Sequence, residues 1–176
     1  MNDIILQNEN SSIYLRPITE EDTDEVLRWR NSPHVVNYFI YRKSITKEEH
    51  IKWIREKVNT GLVEQFIICS KADDTMLGCI YLQKFMWEHR LCESGIFLSE
   101  EAVGMSGIGT QAEELILDYA KNVLKLHKVV AQVLSYNTAS IVLHEKVGYV
   151  REGCLKEHYF LDGKYCDLYW YARFLD

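Results

Sequence analysis

The residues best able to do chemistry lie between Leu91 and Thr110. Leu91-Cys92-Glu93-Ser94-Gly95-Ile96-Phe97-Leu98 is an apolar run holding one carboxylate, Glu93. If buried, that carboxylate becomes a better proton acceptor and suits a general base. The competing readings set Glu93 on a solvent face or pair it with Arg90. Alternation along the run leaves its side of the sheet open. A few residues on, Gly104-Met105-Ser106-Gly107-Ile108-Gly109-Thr110 leads straight into an amphipathic stretch. The N–H groups of a helix's first turn have no partner within the helix. Beside glycines, which put no Cβ in the way, they form a site for phosphates. The hydroxyls of Ser106 and Thr110 add further donors. This pattern predicts a phosphate-bearing cofactor.

Those residues must be positioned by the elements around them. The spacing predicts a strand over 12–17, then a helix that starts at Thr19-Glu20-Glu21-Asp22 and carries Val26, Leu27, Trp29 and Arg30. Asn31-Ser32-Pro33 breaks it. A capping box, Thr46-Lys47-Glu48-Glu49, opens a helix with Ile51, Ile54 and Val58 at helical spacing. Runs at 65–70 and 76–85 read as a hairpin, and 91–98 adds a third strand. The helix after Gly107 puts Ile108, Ala112, Leu115, Ile116, Tyr119, Ala120 and Val123 inward. Glu113, Glu114, Asp118, Lys121 and Asn122 fall on its other face. A strand over 128–134 and a helix over 138–146, stopped by Gly148, come next. Two strands around Asp162-Gly163 end the chain. The expected class is α/β, with a mixed, mostly antiparallel sheet flanked by helices in one domain over 1–176.

Bulk properties exclude several classes. A content of 47% hydrophobic and 26% charged residues marks a globular chain rather than a disordered one. The net charge of −6 argues against a nucleic-acid partner, whose phosphates need a basic face. It fits a cationic substrate or simple solubility. No apolar run approaches the roughly 20 residues of a membrane span. Residues 1–7 lack the basic and apolar regions of a signal peptide, so no membrane partner and a cytoplasmic location are expected. Neither the five cysteines nor the six histidines show metal-ligand spacing. The cysteines read as reduced, mostly buried side chains, with no metal.

Two motifs carry a resemblance over nearly the whole chain. One is the loop 106–110 opening a helix. The other is Asn137-Thr138-Ala139-Ser140 followed by Leu143-His144-Glu145-Lys146-Val147-Gly148-Tyr149. In this order of elements they resemble the GNAT superfamily of acetyl-CoA-dependent N-acetyltransferases. Where the family has Gln or Arg at the head of the loop, this chain has Gly104, so the diphosphate contacts fall to backbone and hydroxyls, or to a cation such as Lys146. Three branches are similar. Leu27-Arg28-Trp29-Arg30-Asn31-Ser32-Pro33 and the segment 45–54 resemble N-acetyltransferases of 4-amino nucleotide sugars. The tail over 151–167 resembles spermidine acetyltransferases and enzymes acting on ribosomal-protein N-termini.

The resemblance implies acetyl-CoA as cosubstrate. Ile96, Phe97 and Leu98 would bond its pantetheine arm through their backbone and supply an oxyanion-stabilising N–H. Asn137 and Ser140 belong to the same segment, and Asn137 also reads as a helix cap. His144 stands where many relatives carry Tyr beside the sulfur, and a His can donate a proton at neutral pH. A surface His without a task is the alternative. Arg30, Asn31, Tyr38, His50 and Trp53 would border the acceptor, while Trp29 and Trp53 also read as core aromatics. No cysteine sits in a nucleophile setting, which favours direct transfer in a ternary complex over an acetyl-enzyme. The first expected acceptor is a 4-amino nucleotide sugar, then a polyamine, then a protein N-terminus. A non-enzymatic acyl-CoA sensor and a possible homodimer complete the expectations.

Overall fold

The computed structural model describes residues 4–175. The two ends of the expected domain span, residues 1–3 and Asp176, lie outside them. Seven strands form one sheet: β1 (Ile13–Pro17), β2 (Val63–Ser70), β3 (Met76–Met86), β4 (Leu91–Leu98), β5 (Lys128–Leu134), β6 (Val150–Leu161) and β7 (Lys164–Phe174). Their spatial order is β1-β2-β3-β4-β5-β7-β6. Every neighbouring pair is antiparallel except β4 and β5. The helices are α1 (Thr23–Arg30), α2 (Pro33–Val36), α3 (Lys47–Trp53), α4 (Ile108–Asn122) and α5 (Thr138–Lys146). This is the α/β class that the sequence predicts.

Local chemistry explains most of the boundaries. Both bonds of the predicted capping box open α3: Glu49 N–H donates to Thr46 Oγ1 at 3.2 Å, and Thr46 N–H to Glu49 Oε2 at 2.8 Å. Asp162 and Gly163 both have positive φ, 49° and 78°, as a tight two-residue hairpin between β6 and β7 requires. Gly148 stops α5 at φ 84°.

Strand alternation then sorts the core. On β2, Phe66 and Ile68 face α4, while Ile67 and Cys69 face α1 and the turn after α3. Ala112, Ile116 and Ala120 of α4 are fully buried. Two assignments on α4 are corrected. Glu113, expected on the polar face, is 0% exposed, and Val123, expected inside, is 56% exposed. Glu113 stands four residues after Gly109, on the buried stripe. Val123 lies past the end of the helix, as its C-cap residue. Cys69, Cys79 and Cys92 are buried, Cys154 is exposed, and all five cysteines are free. No helix among the described residues is long and apolar enough to cross a membrane.

The feature that positions the site is a fork. β4 and β5 pair only over Leu91–Lys128, Cys92–Val129 and Glu93–Val130. From Ser94 onward β4 pairs with β3 alone, and from Ala131 onward β5 pairs with β7 alone. The outer half of β4 therefore presents unpaired backbone groups along one edge.

Candidate functional site

A cleft of about 580 Å³ opens in this fork. Glu93 sits at its apex, 8% exposed, as the last β4 residue paired to β5. Three donors converge on its carboxylate. Gln83 Nε2 donates to Oε1 at 2.8 Å, and Lys84 Nζ and Gln132 Nε2 donate to Oε2 at 3.0 and 2.6 Å. Lys84 reaches it because β3 shifts register between Gln83 and Met86, with Lys84 itself at φ 52°. The cation on Glu93 is Lys84, not the Arg90 of the competing reading.

Gly95 stands two residues beyond Glu93 on β4. A Cβ there would lie 2.3 Å from the Tyr81 hydroxyl and ring, so only glycine admits that ring over the strand. Burial, and after it the charge of Glu93, pushes the Tyr81 phenol up to about 12. It is a proton-bearing donor at the cleft wall. Ile96 and Phe97 continue the lining.

The glycine loop lies beyond the outer end of β4. Ser99 caps a short 3-10 turn, accepting from Ala102 N–H at 3.2 Å. The chain then turns through Gly104 at φ 88° into Gly107, the N-cap of α4, at φ 80°. Met105 and Ser106 are exposed, Thr110 is half-buried, and Ile108 and Gly109 are buried. A Cβ on Gly109 would stand 3.3 Å from Leu143 of α5 and 4.0 Å from Ile96. The first turn of α4 is thereby held against the open edge of β4. It carries no acidic residue, so its N–H groups and positive dipole end suit a diphosphate.

The opposite wall of the fork is α5. Asn137 caps it, its Oδ1 accepting from Ser140 N–H at 3.2 Å. That leaves the side-chain NH₂ of Asn137 for a ligand. Asn137, Ser140 and His144 all line the cleft. His144 is 2% exposed, so it is not the surface His of the alternative reading. Lys146 is exposed at the last turn of α5 and does not line the cleft, nor does Leu98.

The remaining wall comes from α1, α3 and the segment 38–45. Arg30, Tyr38, His50 and Trp53 line the cleft together, as expected. The Arg30 guanidinium lies 3.9 Å over the Phe39 ring and donates from Nη2 to the Tyr41 carbonyl at 2.7 Å. It is 8% exposed, its Nη1 has no partner, and burial pulls its pKa down. His50 packs on Trp53 and bonds Thr23 Oγ1 at 3.1 Å through Nδ1. Asn31 differs from its expected place. Its side chain makes two bonds to the backbone of Ile45, both at 2.9 Å, and so pins the segment that walls the cleft. Arg42 fastens the same segment to Tyr136 and, by an ion pair, to Asp162 in the β6–β7 turn.

Sequence reasoning missed Tyr81, Gln83, Lys84 and Gln132. Their roles depend on cross-strand register, which no local pattern reports. The spacing from Gly109 marks Glu113 as buried, but its charge argued the other way. Among the described residues, no three His, Cys, Asp or Glu side chains come together as a metal site. Burial pushes the Cys92 thiol up to about 12 and that of Cys79 higher still, so neither is a thiolate at neutral pH.

Comparison with known proteins places this geometry. A family model of the acetyltransferase (GNAT) domain matches residues 12–150. A spermidine N(1)-acetyltransferase of Vibrio cholerae serotype O1 is 25% identical over 159 residues, covering 90% of this chain and 91% of its own. The Escherichia coli K12 spermidine N(1)-acetyltransferase is 28% identical over 154 residues, 88% of this chain and 81% of its own. The Vibrio cholerae spermidine N-acetyltransferase solved with CoA and spermine superposes with a TM-score of 0.88 at 23% identity, covering 94% of this chain and 97% of that one. A further structure of that enzyme, described as dodecameric, covers 94% of this chain and 95% of its own at a TM-score of 0.79 and 24% identity.

Proposed function

Because the chain belongs to the GNAT acetyltransferase family, we propose that this cleft moves acetyl from acetyl-CoA directly to the primary amine of a small molecule. The observation that carries the reading is the fork, whose free β4 edge runs from Glu93 toward the glycine loop. The site fits the cosubstrate. The backbone from Met105 to Thr110, with the hydroxyls of Ser106 and Thr110, would hold the diphosphate. The edge at Ile96, Phe97 and Leu98, with the Asn137 amide, would hold the pantetheine arm. Acetyl-CoA, once bound, supplies an activated acyl group on sulfur. Glu93 takes the proton that the acceptor ammonium must lose, since an alkylammonium of pKa about 10.4 is not nucleophilic. The backbone N–H groups beyond Gly95 face the place where negative charge develops on the acyl oxygen. Buried, protonated thiols support direct transfer over an acetyl-enzyme.

The relatives named for spermidine favour a polyamine acceptor, which reverses the order expected from sequence. A second reading keeps one specific observation. The cleft lining holds one carboxylate, Glu93, against two cations, Arg30 and Lys84, and Arg30 has no carboxylate partner. That balance suits an acceptor with negative charge beside its amine, such as a nucleotide-linked amino sugar. Self-association belongs to the same proposal, following the dodecameric relative.

The test is release of the CoA thiol with purified chain, acetyl-CoA and a panel of acceptors. The panel comprises spermidine, a 4-amino nucleotide sugar and a peptide with a free N-terminus. Turnover on spermidine supports the first reading, and turnover on the sugar nucleotide alone installs the second. Binding of acetyl-CoA by calorimetry with no thiol release on any amine would remove transfer and leave a sensor.

A further inference from the structure

One buried ionisable pair has no task in that scheme. Glu113 lies in the middle of α4, fully buried. Its Oε2 accepts from the Tyr149 hydroxyl at 3.3 Å, and that hydroxyl sits 3.0 Å from Ser94 Oγ. Its Oε1 has no hydrogen-bond partner and faces His144 Nε2 at 3.8 Å. Nε2 is likewise unpartnered. Two buried polar atoms left without partners are costly, and a proton on Nε2 turns them into a buried ion pair.

The other ring nitrogen is fixed. His144 Nδ1 lies 2.7 Å from the Ser140 carbonyl oxygen, which can only accept, so Nδ1 carries a hydrogen. The same Nδ1 lies 3.2 Å from Ser140 Oγ. Both nitrogens of the ring are thus turned toward Ser140 and Glu113 rather than into the cleft. Of these groups, the Ser140 hydroxyl, on the turn capped by Asn137, is the one placed to meet a ligand.

We propose that Ser140 Oγ, backed by His144 and Glu113, gives the departing thiolate its proton, in place of His144 acting directly. The inference rests on the acetyl-transfer reading above. As the C–N bond forms, the C–S bond breaks and its electron pair goes to sulfur. Sulfur takes the Ser140 Oγ proton, and Oγ takes the proton on Nδ1. The ring keeps the proton on Nε2, against the Glu113 carboxylate. Glu93 passes the ammonium proton to solvent before attack and takes the second N–H proton as the C–N bond forms. Of the two protons nitrogen gives up, one stays in solvent and the other returns through solvent to restore Nδ1. Ser140 is the catalytic residue of this relay, and Glu113 positions and charges the ring.

The groups facing the ring from each packed element are few. They are Glu113 on α4, Tyr149 after α5 at 4.8 Å between ring centroids, and Tyr171 on β7 at 6.1 Å. The Tyr171 hydroxyl is committed to Glu145 at 2.9 Å. Burial pushes the Tyr149 phenol well up, so it stays protonated. Burial also pushes the Glu113 carboxyl up, against the pull of His144. Among these groups Glu113 alone can set a negative charge against the ring.

The test compares Ser140→Ala, Ser140→Thr, Glu113→Gln and, as a control, Tyr81→Phe. Ser140→Ala is expected to lower kcat about tenfold, at the low end for acid–base catalysis because a thiolate is a weak base. Its KM for acetyl-CoA should stay within about twofold, and Ser140→Thr should restore most of kcat. Glu113→Gln should move the alkaline limb of kcat to lower pH, because the ring loses its anionic partner. An unchanged kcat in Ser140→Ala, or a loss carried instead by Tyr81→Phe, overturns the relay. Nitrogen NMR of the unliganded chain gives a readout free of turnover. A protonated Nδ1, with an Nε2 signal that moves in Glu113→Gln, supports the relay, and a bare Nδ1 overturns it. Failure of the acetyl-transfer reading would appear separately, as wild-type chain that releases no thiol.

Discussion

At the N-cap of α1, Asp22 is 6% exposed and fully served. Arg16 grips it through two bonds, of 2.7 and 2.9 Å, and Thr19 N–H adds a third at 2.8 Å. Burial pushes this carboxyl up, but the guanidinium and the amide outweigh it and hold Asp22 below the usual carboxylate range. Across the sheet, Glu113 is just as hidden, yet it has one long bond and an oxygen without a partner. Glu93 stands between the two cases, with three donors on its oxygens but a cleft in front of it. Satisfied burial fixes a scaffold. Unsatisfied burial, or burial beside an open cleft, keeps a proton available for exchange.

Substitutions test that contrast, and the largest effect is expected at Glu93. Glu93→Gln should lower kcat by about 10²-fold at neutral pH and lose less at high pH, where the amine sheds its own proton. Stability should change little. A pH–rate profile identical to wild type would take the base role from Glu93.

Asp22→Asn should behave in the opposite way. It strips Arg16 of its partner and should cost about 1–3 kcal/mol of stability by urea unfolding, with kcat near wild type. The sign with pH follows from the depressed carboxyl. Its stabilisation is complete above the ordinary Asp value of about 3.9 and is lost as pH falls through the folded value. A variant with normal stability and lost activity would erase the distinction between the two carboxylates.

Gly107→Ala touches the cosubstrate loop rather than the chemistry. Alanine at φ 80° costs roughly 1–2 kcal/mol. The affinity for acetyl-CoA should drop about fivefold or more by calorimetry, with kcat retained at saturation. Unchanged affinity would mean that the loop does not hold the diphosphate.

The smallest effect is at His50. Burial pulls its pKa below the ordinary value, against the weaker pull of Asp22. Its folded form is therefore stabilised above the unfolded pKa of about 6.5, and that margin shrinks as pH falls below it. His50→Gln should flatten the slope of Tm against pH in the acid range. A slope that survives the substitution would move its source to another group.

Much of this molecule was legible before folding. The capping box at Thr46, the Asp162-Gly163 turn and the Gly107 helix start are local signals, and each appears where its residues stand. The cleft residues Arg30, Tyr38, His50 and Trp53 do meet, as do Glu93 and His144. The resemblance sets Asn31 beside the acceptor, and only the position of Ile45 shows that it pins a backbone segment instead. Lys146 shares a motif with His144, yet the helix turn points it away from the cleft.

The sequence alone determined the order of the elements, the glycine turn that presents bare amides, and the family these define. All of these rest on spacing over a few residues, which backbone geometry reads directly. Only the tertiary structure decided which donors ring Glu93, that Glu113 lies inside against His144, and that β4 and β5 part company after Glu93. Those depend on strand register, a bulge at Lys84 and the packing of α4 on α5. Such contacts join distant parts of the chain, and no local periodicity encodes them.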